Sequence, residues 1–153
     1  LPGDICADYG ILTSDLDKVI RNSDFLSIHL PYTKDTFHLV SREKLELMKP
    51  DAYLLNLGRG EVVDQAALRE LLLSNRLAGA ALDVFEGEIP DADDPLLHMD
   101  QVIATPHIAG LSKQAMERLS YQAALGITEG LEGRKVTYPV NHPEKYASDV
   151  SVA

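Results

Sequence analysis

The sequence predicts an α/β fold built on a parallel β-sheet, and two patterns indicate it. Short apolar runs of strand length alternate with longer stretches in which apolar residues recur at helical spacing, an order typical of strand–helix–strand units. One run, residues 52–57, is apolar at nearly every position, as expected of a parallel strand that is covered on both faces. We therefore expect helices on both faces of the sheet.

Four strands and four helices follow from these patterns. The strands are predicted at residues 25–30, 52–57, 79–82 and 102–104. The helices are predicted at residues 14–21, 41–48, 64–75 and 112–131. Each helix begins at a serine or aspartate, whose side chain can accept a hydrogen bond from the first turn. A polar, proline-containing loop precedes the last strand, and the chain from about Pro139 onward reads as irregular.

The composition of the chain argues against several classes of function. The chain has 153 residues, 45% hydrophobic and 25% charged, which fits one folded domain. The net charge of −10 argues against a nucleic-acid partner. No apolar run approaches the roughly eighteen residues of a membrane span, and the N-terminus lacks a signal-peptide pattern. The single cysteine, Cys6, excludes an internal disulfide, and no Cys/His cluster has metal-ligand spacing. We therefore expect a cytoplasmic protein without a metal site.

Polar side chains follow three of the predicted strands, at the points where these strands end. Arg59 follows the second strand, Asp83 and Glu88 follow the third, and His107 follows the fourth. Because ligands bind at the carboxyl ends of parallel strands, we expect these side chains at one edge of the sheet. An imidazole beside a carboxylate is an acid/base pair, and a guanidinium can grip a substrate carboxylate through two parallel hydrogen bonds. The combination suits proton transfer to a carbonyl next to a carboxylate.

Each of these residues also has a structural interpretation. Arg59 lies between two glycines and can be a solvent-facing turn residue or a member of a surface ion pair. Glu88 lies in an acidic loop, where carboxylates are mostly solvated. His107 can be a structural loop residue, and Asp83 a helix cap or turn former.

Four segments of the chain carry recognisable motifs: SIHLPYT with Thr36, KPDAYLLNLGRGEVVD (49–64), GAALDVFEGE (79–88) and TPHIAG (105–110). They resemble the D-2-hydroxyacid dehydrogenases, and they occur in the order typical of that family. The resemblance covers about residues 24–133. It implies a Rossmann-like fold and reversible reduction of a 2-keto acid to a D-2-hydroxy acid with NAD or NADP.

The resemblance also implies a role for each matching residue. His107 matches the general acid/base, Glu88 the carboxylate that orients it, and Arg59 the arginine that binds the substrate carboxylate. Asp83 matches the residue that contacts the nicotinamide carboxamide. The remaining residues expected near the cofactor, with Arg59 and His107 themselves, are Leu30, Pro31 and Thr36 on the adenosine side and Leu57, Gly58, Ala109 and Gly110 near the nicotinamide.

Two positions depart from the family pattern. Ile89 separates Glu88 from Pro90, whereas the family usually has proline directly after the glutamate, so the loop can take a different shape. Gly58 stands where many relatives carry a small polar residue, which removes one possible cofactor contact. Glu88 itself is kept, and the related formate dehydrogenases have glutamine there, so formate oxidation is disfavoured.

The sequence contains no Gly-x-Gly-x-x-Gly turn to cradle a dinucleotide pyrophosphate, and no acidic residue in the position expected for the adenine ribose. We therefore expect a partial Rossmann-like parallel sheet that lacks its first two strands, with a gap between the strands at 25–30 and 52–57. Residues 1–133 would be the C-terminal part of the NAD(P)-binding domain, and 134–153 a tail returning toward a substrate domain. Further chain is expected upstream of Leu1, and the isolated chain is expected to show little activity.

Other functions remain open. An NAD-sensing binding protein like the C-terminal-binding-protein corepressors retains the same three residues, and a purely structural fragment is a third possibility. The resemblance implies a small 2-keto or 2-hydroxy acid as substrate and a homodimer as the full-length form. The particular acid and the choice of NAD or NADP stay open, because the residues that would select them are not in this chain.

Overall fold

The computed structural model describes residues 9–139, which form two compact units that divide between Ala109 and Gly110. The first unit contains a four-stranded sheet in the order β1-β2-β3-β4, with all pairs parallel. The strands are β1 (Phe25–Ile28), β2 (Tyr53–Asn56), β3 (Gly79–Leu82) and β4 (Val102–Ala104). The predicted α/β fold with a parallel sheet is confirmed.

The described residues of the first unit contain the α-helices α1 (Leu16–Asn22), α2 (Arg42–Leu45) and α3 (Gln65–Leu73), and the second unit contains α4 (Lys113–Leu131). Short 3-10 helices follow β2 (Gly60–Val62) and precede β4 (Pro95–His98).

Several helix boundaries differ from the prediction, including the end of α3, which lies at Leu73 and not at residue 75. Helix α1 is capped by Asp15, whose side chain accepts a hydrogen bond from the Lys18 amide at 2.8 Å, and the predicted start at Ser14 was one residue too early. Helix α2 ends at Leu45, because the amides of Leu47 and Met48 turn to carbonyls only three residues back. The aspartate cap of α3 was predicted correctly.

The expected gap between the first two strands was wrong. Strands β1 and β2 pair directly, with Phe25 opposite Tyr53 and Ile28 opposite Asn56. Backbone hydrogen bonds of 2.9 Å from the Tyr53 amide to the Asp24 carbonyl and of 3.0 Å from the Leu57 amide to the Ile28 carbonyl close the ladder at both ends. A continuous ladder leaves no room for intervening strands, so any further strand of this sheet would pair at an outer edge.

One face of the sheet forms the core of the first unit. Leu26, Leu54 and Leu82 are buried and belong to one apolar cluster with the inward side of α3. That side consists of the residues predicted to share a face, Ala67, Leu68, Leu71 and Leu72. On the opposite face, Phe25 and Ile103 are each 68% exposed, so helix cover on that face stays a prediction.

The second unit consists of α4 and the segment that follows it. Ser112 caps α4 through a hydrogen bond from the Ala115 amide at 3.1 Å. After the helix the chain bends back, and the buried carboxylate of Glu129 accepts hydrogen bonds from the Thr137 amide (2.8 Å) and hydroxyl (2.6 Å). These bonds hold the pKa of Glu129 below its ordinary value. The predicted boundary after residue 133 and the tail remain a prediction, since residues 140–153 lie outside the described range.

No helix in the described part of the chain is both long and apolar enough to span a membrane.

Candidate active site

Arg59 lies on a turn that is stabilised by hydrogen bonds from the side chain of Asn56, the last residue of β2. The Asn56 side chain is buried; its oxygen accepts a hydrogen bond from the Gly58 amide at 3.1 Å, and its nitrogen donates to the Arg59 carbonyl at 2.9 Å. The Arg59 side chain is exposed and donates one hydrogen bond to the Gly58 carbonyl at 2.8 Å. Sequence reasoning missed Asn56, although an amide at the end of an otherwise apolar strand was the available signal.

Close backbone approaches fix both glycines of this turn. A Cβ atom at Gly58 would lie 2.6 Å from the Leu30 carbonyl oxygen, and one at Gly60 would lie 2.0 Å from the Phe85 carbonyl carbon. The turn that carries Arg59 is therefore wedged between the chain after β1 and the chain after β3. A side chain at position 58 would clash with the Leu30 backbone, which explains why glycine stands there in this chain.

The loop that carries His107 is organised around Asp83, which is only 3% exposed. One carboxylate oxygen of Asp83 accepts hydrogen bonds from the Thr105 hydroxyl (2.5 Å) and the Ile108 amide (2.8 Å), and the other accepts from the Ala109 amide (2.9 Å). The His107 amide donates to the Asp83 carbonyl at 3.0 Å. His107 has a φ of 57°, in the left-handed region, so the loop conformation depends on these contacts.

The ionisation of Asp83 follows from the same contacts. Burial by itself would raise the pKa of the carboxyl group, but the hydrogen bonds from Thr105, Ala109 and Ile108, helped by the field of His107, outweigh it and lower the pKa below its ordinary value. Asp83 is therefore a carboxylate at neutral pH, and it accepts three hydrogen bonds of the roughly four that a carboxylate can take.

Glu88 lies on the loop after β3 with its side chain exposed. Two consecutive residues of this loop are left-handed, Gly87 with φ 76° and Glu88 with φ 67°. The Glu88 amide donates to the Phe85 carbonyl at 3.2 Å, which closes a tight turn directly after the strand. The turn directs Glu88 toward the carboxyl edge of the sheet, the same edge that carries Arg59 and His107.

The three predicted catalytic residues line one cavity. Its volume is about 420 Å³, and Arg59, Glu88 and His107 all contribute to its wall. Tyr32, which sequence reasoning did not single out, lines it as well. A second cavity of about 540 Å³ shares Glu88 and His107 with the first and also reaches Asp83. Within residues 9–139, no hydrogen bond or ion pair joins Glu88 to His107.

The residues expected on the adenosine side follow β1. Leu30 and Pro31 are exposed there, and Thr36 folds the loop by donating from its hydroxyl to the Pro31 carbonyl at 2.8 Å. The same hydroxyl accepts a hydrogen bond from the Thr33 amide at 2.7 Å. Thr36 thus shapes this loop, and its predicted contact with a cofactor stays a prediction.

Each residue expected near the nicotinamide is described within its own unit. Leu57 follows β2 directly, at the edge of the sheet that carries the cavities. Ala109 closes the first unit with its amide bound to Asp83, and Gly110 begins the second unit. Among the described residues, no group of three or more His, Cys, Asp or Glu side chains is arranged to hold a metal ion.

Comparison with known proteins identifies the class. Residues 2–109 match the family described as D-isomer specific 2-hydroxyacid dehydrogenase, NAD binding domain, and the chain belongs to this family. Among its relatives, a glyoxylate reductase of Thermofilum pendens is 44% identical over 128 residues, which cover 84% of this chain and 38% of the relative. A D-3-phosphoglycerate dehydrogenase of Archaeoglobus fulgidus is 38% identical over 140 residues, covering 92% and 27%. The chain thus spans well under half the length of these relatives.

Solved structures show the same fold. The apo form of D-mandelate dehydrogenase from Rhodotorula graminis superposes with a TM-score of 0.81 at 30% identity, covering 93% of this chain and 42% of that one. D-Lactate dehydrogenase with NAD+ from Lactobacillus jensenii superposes with a TM-score of 0.76 at 30% identity, covering 84% and 43%. The Rossmann-like resemblance is thereby confirmed.

Proposed function

We propose that this chain is the catalytic part of an NAD(P)-dependent oxidoreductase that interconverts a 2-keto acid and a D-2-hydroxy acid. The observation that carries the proposal is the common cavity of Arg59, Glu88 and His107 at the carboxyl edge of the sheet, in a chain of this family. In such a cavity a guanidinium can bind the carboxylate of a 2-keto acid, and an imidazole near a carboxylate can protonate the carbonyl oxygen of that acid.

Arg59 is proposed to bind the substrate carboxylate. Its guanidinium is exposed and uses one N–H group on the Gly58 carbonyl, so other N–H groups remain for two parallel hydrogen bonds to a carboxylate. Binding the carboxylate in this way fixes the adjacent carbonyl group in the cavity, toward the wall that His107 provides.

His107 is proposed as the general acid/base that protonates the carbonyl oxygen in reduction and removes the proton in oxidation. Glu88, which lines both cavities with His107, is proposed to orient the imidazole and to stabilise its protonated form. A bound dinucleotide would supply the hydride in reduction and accept it in oxidation. Asp83 keeps the His107 loop in place through its contacts with Thr105, Ile108 and Ala109.

The residues present fit the nicotinamide end of the cofactor. Among the described residues, three donors bind the Asp83 carboxylate, which leaves one acceptor position for a carboxamide N–H group, and Leu57, Gly58 and Ala109 lie at the same edge. A neighbouring D-lactate dehydrogenase structure contains NAD+ and an imino acid reductase structure contains NADPH, so both dinucleotides stay within the proposal.

Substitution of Arg59 tests the proposal in the full-length protein. We expect Arg59→Lys to lower kcat/KM for 2-keto acids by about 10²-fold, because lysine provides a point charge and not a planar pair of donors. Reduction of a panel of 2-keto acids is followed through NADH absorbance. The control is Arg42→Lys, which changes an exposed arginine paired with Glu70 on the surface and should leave turnover unchanged.

The outcome separates the two candidate functions. No turnover of any 2-keto acid by the unsubstituted full-length protein, together with tight NAD binding, would favour the NAD-sensing corepressor-like alternative. Turnover that Arg59→Lys leaves intact would remove Arg59 from the proposed site while leaving the reaction class in place.

A homodimer of the full-length protein is part of the same proposal, and sedimentation equilibrium measures it directly. The proposed small-molecule partner is the 2-keto or 2-hydroxy acid that Arg59 would bind.

A further inference from the structure

The loop that carries Glu88 has few contacts of its own to fix its position. Between Glu86 and Asp94, its internal backbone bonds run from Ile89 to Gly87 at 2.8 Å and from Asp94 to Asp91 at 2.9 Å. Ordering a loop residue costs about 1–2 kcal/mol of conformational free energy. A loop that holds a functional carboxylate in one place therefore needs anchors outside itself.

A single side chain joins both ends of this loop. Gln65, the first residue of α3, accepts a hydrogen bond from the Glu86 amide at 2.9 Å through its side-chain oxygen. Its side-chain nitrogen donates to the Asp94 carboxylate at 3.2 Å. Glu86 and Asp94 flank the segment in which Glu88 lies, so Gln65 acts as a brace across the base of the loop.

The surrounding contacts reinforce the brace. The Glu86 carboxylate accepts from the Gln65 amide at 3.3 Å, which satisfies one of the free N–H groups at the start of α3. The same carboxylate binds the His38 imidazole at 2.6 Å. Asp94 also caps the 3-10 helix through the Leu96 amide at 3.0 Å. The two ends of the loop are thus tied to elements that do not contain Glu88.

Glutamine suits this position chemically. The brace needs an acceptor for the Glu86 amide and a donor for the Asp94 carboxylate, and a side-chain amide offers both within one group. A carboxylate at position 65 would keep the acceptor but lose the donor, and it would face two other carboxylates. A hydrocarbon side chain would lose both bonds.

We propose that Gln65 is a positioning residue for Glu88, acting by bracing residues 86–94 across their base. The loop anchoring stands on the contacts alone, whereas its consequence for proton transfer rests on the proposed function. Gln65 touches neither cavity wall, so its effect on the reaction passes through the loop.

The test uses a substitution that can be rescued by reversing the hydrogen bond. Gln65→Glu removes the donor to Asp94, and Gln65→Glu with Asp94→Asn restores the bond with the donor on the other side. We expect the single change to raise amide hydrogen exchange in residues 87–93 by about fivefold, the equivalent of one lost hydrogen bond, and the double change to reverse most of it. Exchange is measured on the 153-residue chain.

A matched control is available in the same unit. Gln101 is also half-buried, and its side-chain nitrogen donates to the Leu72 carbonyl at 3.1 Å, away from the Glu88 loop. Gln101→Glu should leave exchange in residues 87–93 unchanged. Thermal unfolding of each variant establishes that it is folded.

The second readout is turnover of a 2-keto acid by the full-length protein. Gln65→Glu should lower kcat about tenfold with KM changed less than twofold, because Arg59 is held separately by Asn56, and the double change should restore kcat. Unchanged exchange in Gln65→Glu would overturn the proposal. Altered exchange with unchanged kcat would also overturn it, leaving a purely structural brace. Altered exchange in a protein that reduces no 2-keto acid would contradict the proposed function and leave the loop anchoring standing.

Discussion

At the scale of single residues, the described part of the site separates the groups proposed to meet substrate from the groups that hold them. Asn56 lies beneath the Arg59 turn and Asp83 beneath the His107 loop. Both holding residues are buried and have their hydrogen-bonding atoms engaged, whereas Arg59 and His107 are exposed. Buried residues that hold the backbone of a loop can fix the position of an exposed side chain on it and still leave that side chain accessible to a ligand.

A pH-dependent test follows for Asp83. Asp83→Asn should lower the free energy of unfolding by about 1–3 kcal/mol at pH 7, because an amide cannot accept from both Ile108 and Ala109 in the present geometry. The folded pKa of Asp83 is lowered, so its contribution is complete above the unfolded value near 3.9 and fades as the pH falls through the folded value.

Urea unfolding at pH values from 7 to 3 measures the free energy of unfolding of the wild-type protein and of the Asp83→Asn variant. The difference between them should shrink below about pH 4, because Asp83 of the unfolded wild-type chain then takes up a proton at a higher pH than the folded carboxylate does. A difference that stays constant down to pH 3 would mean that Asp83 does not stabilise the fold as an anion.

At the scale of elements, the sequence predicted where the strands lie along the chain, but it did not predict which strands pair with each other. The ranges of β3 and β4 were predicted to the residue, since short apolar runs between turn signals define strands locally. The pairing of β1 with β2 was predicted wrongly, because strand order depends on contacts between distant parts of the chain. Gln65 escaped notice for the same reason, since its partner Glu86 is 21 residues away.

The wedge that holds the Arg59 turn gives an element-scale test. Gly60→Ala would place a Cβ atom 2.0 Å from the Phe85 backbone, and we expect it to destabilise the fold by about 1–3 kcal/mol. The matched control is Gly126→Ala in α4, where the new Cβ would meet, among residues 9–139, only the Val136 side chain at 3.7 Å. That change should stabilise the helix by about 0.5–1 kcal/mol.

Thermal unfolding compares the two glycine variants directly. A Gly60→Ala protein as stable as the wild type would show that the backbone near Phe85 yields easily, and that the wedge does not fix the Arg59 turn.

At the scale of the whole molecule, the sequence carries the residues proposed for the nicotinamide end of a dinucleotide, but it contains no Gly-x-Gly-x-x-Gly turn for the phosphates. We expect the 153-residue chain to bind NAD with a dissociation constant weaker than about 1 mM, corresponding to less than roughly 4 kcal/mol of binding free energy. Isothermal titration calorimetry measures this, with the full-length protein as the positive control. Micromolar binding by the 153-residue chain would contradict the expectation.

The left-handed backbone at Glu88 and His107 has a consequence for laboratory evolution. Outside glycine, only four residues in the range 9–139 have positive φ, and these are two of them, with φ values of 67° and 57°. Each such residue costs the fold about 1–3 kcal/mol, which glycine would largely recover. A library selected for thermal stability alone would therefore drift toward glycine at both positions and lose the proposed acid/base pair without any loss of fold.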